Sequence, residues 1–180
     1  MTGWIGSGVI AWLEETRFED ETVLVYFKGV SLTDMAEGLI AQHRPPFAQG
    51  SSVGLGEWGV IVHHMYNGDD FDLIDYRKLC PAGAELVVFE PNPCIAKAHG
   101  PKAYHYRSGQ VRSCIDYENP GHVGEYWPNE LASLITTAGL GYEDRNYEER
   151  LTQLISDHLG LPPLDRRSIT VDRNLIASYF

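Results

Sequence analysis

The chain reads as an α+β protein: a mostly antiparallel sheet of five to six strands, helices packed on one face, and a helical C-terminal third. Three observations carry this reading. Breaker-free runs of β-branched and aromatic residues cluster in the middle of the sequence. Amphipathic helical spacing gathers towards the two ends. Strand-like runs follow one another with helices clustered at the ends, which favours α+β over the alternating α/β class.

The elements follow in order. Ile5, Val9, Trp12 and Leu13 recur at helical spacing, so Ile5 to Glu15 is expected to be one short amphipathic helix with Ser7 as its cap. TVLVYFK, Thr22 to Lys28, is a buried strand ended by Gly29. Ser31 is a good N-cap for a helix over Leu32 to His43, stopped by Arg44-Pro45-Pro46. Ser51 to Leu55 and Trp58 to Tyr66 look like strands around Gly56-Glu57. After the turn Asn67-Gly68-Asp69-Asp70, a short helix is expected over Phe71 to Leu79, then a strand over Ala84 to Glu90. Cys94 to Tyr106 and Gln110 to Tyr117, joined by Ser108-Gly109, form the clearest hairpin. Two helices, Asn129 to Ala138 and Tyr147 to Leu159, end at Gly139 and Gly160. The tail from Ser168 to Phe180 reads equally as strand or short helix. The 180 residues fit one domain, with an N-terminal helix in 1–21, a sheet-rich core in 22–120 and a helical region in 121–180.

Composition narrows the function. With 4 Trp, 10 Tyr and 6 Phe, the chain can bury a stable core without metals or disulfides. A net charge of -11 opposes phosphate backbones and anionic membranes, so neither nucleic acid nor a membrane is an expected partner. Cys80, Cys94 and Cys114 are odd in number and include no C-x-x-C, which argues against a disulfide framework or zinc knuckle and for a reducing, cytoplasmic setting. The apolar stretch Met1 to Leu13 is too short and Gly-rich to span a bilayer.

Several segments share one family pattern. VLVYFKGVSLTDMAEGL is a strand ending in Gly and followed by a helix; GEWGVIVHHMYNG is a Gly-Trp strand. DYRKLCPAGAELVVFEPN, YHYRSGQVRSCIDYENPG and RLTQLISDHLGLPPL follow as helix and strand, hairpin, and late helix. In this order the chain resembles a family of uncharacterised actinobacterial proteins, a domain of unknown function, over roughly residues 22–164. That pattern carries an acidic residue where this chain has His63-His64. The resemblance implies the order of elements and no catalytic role.

The residues that could carry chemistry are few. Adjacent strand residues point to opposite faces, so His63 and His64 cannot ligate one metal together, and at most one faces a site. Trp58, His64, Tyr104, His105 and Tyr106 are the candidate pocket, where His64 and His105 on neighbouring strands could meet Asp116 or Glu90 as an acid–base pair. On a strand, Tyr104 and Tyr106 share one face and His105 takes the other. No phosphate loop, HExxH, GxSxG or EF-hand loop is present, and no cofactor or metal is expected. Aromatic and acidic residues gather late in the chain, and Glu125, Tyr126, Trp127, Tyr142, Glu143 and Asp144 are the candidate partner surface. The first functional reading is therefore a non-catalytic protein-interaction or accessory protein, immunity-type or pathway-associated, that binds a basic partner. The alternative is a small-molecule-binding protein or small enzyme, with a His/Tyr/carboxylate pocket between sheet and helices.

Overall fold

The computed structural model describes residues 4–14, 21–51, 57–65, 74–91, 101–125, 127–141 and 143–179. Seven strands form one sheet: β1 (Thr22–Lys28), β2 (Pro46–Ser51), β3 (Gly59–His64), β4 (Glu85–Glu90), β5 (Lys102–Arg107), β6 (Gln110–Asp116) and β7 (Thr170–Val171). Their order is β6-β5-β4-β1-β3-β2-β7, and every neighbouring pair is antiparallel. The helices are α1 (Trp4–Ser7), α2 (Val9–Glu14), α3 (Leu32–Ala41), α4 (Ala132–Ala138), α5 (Tyr147–Leu159) and α6 (Arg173–Tyr179). No helix among the described residues is long and apolar enough to cross a membrane.

β1 is central because both of its faces are apolar. Leu24 and Tyr26 join a core with Val60, Val62, Val87 and Phe89, covered by α1, α2, α4 and α5. Val23, Val25 and Phe27 join a second core with Ile61, Leu86 and Val88, covered by Met35 and Leu39 of α3 and by Tyr76 and Leu79. Helices therefore cover both faces, which corrects the expectation of one covered face. Burying Met35 and Leu39 contributes about 1.5–3 kcal/mol each, so leaving that face bare would be costly.

Other expectations shift for local reasons. The N-terminal helix is two pieces, broken at Gly8 with φ 82°. Residues 76–79 form successive i→i+3 turns instead of a helix, with Leu79 N–H on Tyr76 O at 3.1 Å and Cys80 N–H on Arg77 O at 3.3 Å. β2, Pro46–Ser51, pairs with β3 and shares only Ser51 with the strand expected over Ser51 to Leu55, so the strand at 46–50 is one the sequence reading missed. Residues 52–55 of that expected strand, 71–73 of the expected helix and 94–100 of the expected hairpin lie outside the described residues. The tail supplies both readings: β7 pairs with β2, and α6 follows. β7 also places a strand inside the region expected to be helical, and the sheet has seven strands where five to six were expected.

The helix ends and the hairpin follow their residues. Ser31 Oγ accepts the Asp34 N–H at 3.0 Å and caps α3. Gly139 and Gly160 close α4 and α5 in the left-handed region, whereas Asn146 makes no side-chain cap. Ser108 at φ 50° and Gly109 at φ 76° give the paired positive dihedrals of a type I′ turn, whose twist suits β5–β6.

The β1–α3 connection generates one stability prediction. Gly29 has φ 74°, and a Cβ there would lie 2.7 Å from Gly83 O. Gly83 has φ 83° but open space around it. Gly29→Ala is expected to cost more than Gly83→Ala: about 2–3 kcal/mol against about 1 kcal/mol in urea unfolding. Equal costs would show that the Gly83 carbonyl does not confine position 29.

Candidate functional site

The candidate pocket residues do not converge. Side chains alternate along each strand, so Trp58, His64 and His105 lie on the α5-covered face and Tyr104 and Tyr106 on the α3-covered face. His64 packs its ring against Phe47 with centroids 6.3 Å apart. His64 and His105 share a face, but β4 and β1 separate their strands. Glu90 and Asp116 are on the face opposite His105, so neither is its carboxylate partner.

The partner of His105 is Glu85. Lys28, Glu85 and Arg107 are direct neighbours across β1, β4 and β5, and His105 lies two residues from Arg107 on the same face. The Glu85 carboxylate accepts from Lys28 Nζ at 2.9 Å, Arg107 Nη2 at 3.1 Å and His105 Nε2 at 2.7 Å. Lys28 Nζ also lies 4.5 Å from the centroid of the Trp58 ring. Burial works against the Glu85 charge, but these donors hold its carboxyl down at about 2. Burial lowers the His105 pKa, and the Glu85 bond only partly offsets it. This pair has the orientation of a general base, yet His105 is 3% exposed and its ring is closed to a substrate. The position of Glu85 depends on register, which no local spacing reveals.

His63 is the second buried imidazole. Its Nδ1 lies 2.7 Å from His64 O, and a carbonyl only accepts, so Nδ1 carries the proton. Nε2 then accepts from Tyr76 Oη at 2.8 Å. Arg44 lies nearby, 1% exposed, and donates to Met65 O and His43 O at 3.1 Å each. These bonds fasten the Tyr76 turn and the end of α3 to the sheet. They leave neither ring nitrogen of His63 for a ligand.

The candidate partner surface is part loop, part turn. Tyr126 and Tyr142 lie outside the described residues. Asp144 is occupied locally, accepting from Gly141 N–H at 3.0 Å and Arg150 Nη1 at 3.2 Å, while Glu143 is exposed. Glu125 and Trp127 lie on a loop that leaves β6 and returns to its edge. Pro128 O accepts the Cys114 N–H at 2.8 Å, and the Glu130 N–H reaches Arg112 O at 3.2 Å and Ser113 Oγ at 3.0 Å. Asn129 bridges Ser113 in the same stretch, and Arg112 pairs with the Glu130 carboxylate. The β5–β6 register shifts between His105 and Tyr106, leaving Arg112 as the extra residue of a bulge. Asn129 and Glu130 were expected to begin a helix, but α4 starts at Ala132.

Val123 is 58% and Trp127 54% exposed on this loop; among the described residues the other exposed large apolar side chain is Ile40 of α3, at 55%. Val123 and Asn129 carry no sequence signal of their own; only the pairing of 128–130 with β6 reveals them. A separate shallow cavity of about 500 Å³ lies between β2 and the β7–α6 junction. Gln49, Thr170 and Arg173 contribute to its lining, and none of the expected pocket residues does.

His63 gives this region a pH signature. Burial pulls its imidazole down to about 4, against about 6.5 in an unfolded chain. The unfolded state therefore binds more protons between these values, and the His63 contribution is intact above about 6.5 and lost as pH falls to 4. That contribution is about 3 kcal/mol, with His105 adding in the same direction. Urea unfolding at pH 7 and pH 4.5 is expected to show a smaller acid loss for His63→Gln than for the wild type. Equal losses would mean that His63 is not held neutral by burial. In comparisons with known proteins, no family model, curated protein or solved structure matches the chain.

Proposed function

We propose that this is a non-catalytic interaction protein, of an accessory or immunity type, that binds a basic protein segment through the loop 121–130. The observation that supports this most directly is Trp127, 54% exposed on a loop whose return limb is bonded to β6. Trp is a frequent binding hot spot, and fixing it before contact reduces the ordering cost of association. Val123 extends the apolar surface on the same loop.

Charge favours a basic occupant. Glu118 and Glu125 are exposed and make no ion pair among the described residues, and the whole chain carries -11. A second copy would bring the same charge to the contact, as would nucleic acid. The cysteine pattern supports a reducing, cytoplasmic setting for this interaction. A small-molecule enzyme has less support, because His63 is bonded at both nitrogens and His105 is closed off by burial.

Capture of lysate proteins on the immobilised chain tests the proposal through variants. A basic protein should be retained at low salt and eluted steeply as salt rises. Trp127→Ala should weaken retention by about 2 kcal/mol or more, and Glu125→Lys should weaken it further at low salt. Ile40, 55% exposed on α3, is the control, and Ile40→Ala should leave retention unchanged. Retention that is indifferent to salt, to Trp127 and to Glu125 would overturn the proposal.

A further inference from the structure

We infer that Asn129 is a positioning residue for the interaction loop: it holds Trp127 in place for the partner without contacting the partner itself. This inference rests on the interaction reading above. Asn129 is 7% exposed, and its side chain is bonded in three directions. Nδ2 donates to Pro120 O at 2.8 Å and His122 O at 3.2 Å, while Oδ1 accepts the Leu131 N–H at 3.1 Å. One amide thus ties the outgoing limb of the loop to the residue that precedes α4. Both of its donor hydrogens are used, so no other small polar side chain reproduces the set.

The backbone of the same residue fixes where that amide sits. Asn129 bridges Ser113 on β6, with the Pro128 and Glu130 bonds on either side. Residues 121–125 and Trp127 are therefore held from both sides, by backbone pairing on one limb and by the Asn129 amide on the other. Val123 and Trp127 gain a fixed relation that their own exposed positions do not provide. Removing the amide would leave the Pro120 and His122 carbonyls to water and let the outgoing limb swing. A partner would then have to order the loop on binding, which costs affinity without loss of any contact.

Fluorine NMR of the 5-fluorotryptophan-labelled chain tests this directly. Trp4, Trp12 and Trp58 pack in or against the core and report on the fold, while Trp127 reports on the loop. Asn129→Ala should move the Trp127 resonance towards its unfolded position, with the other three unchanged, and weaken retention of the basic partner about tenfold. Asn129→Asp keeps the acceptor for Leu131 but loses both donors, so it should free the loop while preserving the start of α4. It also serves if Asn129→Ala does not fold.

An unmoved Trp127 resonance in the variants would overturn the inference. So would a moved resonance with undiminished retention, which would leave Asn129 a purely structural residue. Undiminished retention by Trp127→Ala is a separate outcome that would overturn the interaction reading, while the resonance would still decide whether Asn129 closes the loop.

Discussion

The edge of β6 is the constraint on which the candidate site depends. An edge strand presents backbone N–H and C=O groups that either pair within the molecule or invite another chain. Here residues 128–130 take those positions, with bonds from Cys114 to Pro128 and from Glu130 to Arg112. Once 128–130 lie along β6, the preceding residues must leave the sheet and come back. Trp127 then falls immediately before the paired stretch, at a point where the return is fixed. The opposite edge is handled differently, by the two-residue β7 laid on β2. Protecting one edge and presenting an apolar side chain are thus a single piece of chain geometry.

The body of the molecule explains why its histidines do not make a site. A sheet covered on both faces has little room for uncompensated polar groups. Glu85 is tolerated because donors from two neighbouring strands converge on it, and His105 is one of those donors. His63 is tolerated as the neutral imidazole bonded to Tyr76 and to a backbone carbonyl. Arg44 is likewise satisfied in part by carbonyls at the end of α3 and β3. Each of these groups links elements together, and burial that secures them also removes them from contact with ligands.

Much of this fold was legible in local sequence. β1, α3, α5 and the β5–β6 hairpin follow from apolar runs, caps and the Ser108-Gly109 turn. The opposite-face placement of His105 and the two tyrosines follows from strand alternation alone. The second covered face was missed, although an unbroken apolar run such as Val23 to Phe27 has no polar side to give to solvent. What stayed hidden depends on long-range register. Glu85 becomes the partner of His105 only when β4 pairs with β5, a separation of 20 residues. Asn129 has the look of a helix start, and only its pairing with Ser113 turns it into part of an edge. Trp127 and Glu125 stood out in the sequence as aromatic and acidic, whereas the exposure of Val123 and the closure of their loop carried no sequence signal.

Hydrogen exchange of the chain, free and with the retained basic partner bound, separates this loop from the rest of the surface. Exchange should slow on binding within residues 118–130, with the amides of β1 and β4 unchanged because they are already protected by the sheet. Slowing at the β2–β7–α6 cavity instead, with residues 121–127 exchanging as in the free chain, would contradict the assignment of this loop as the binding surface.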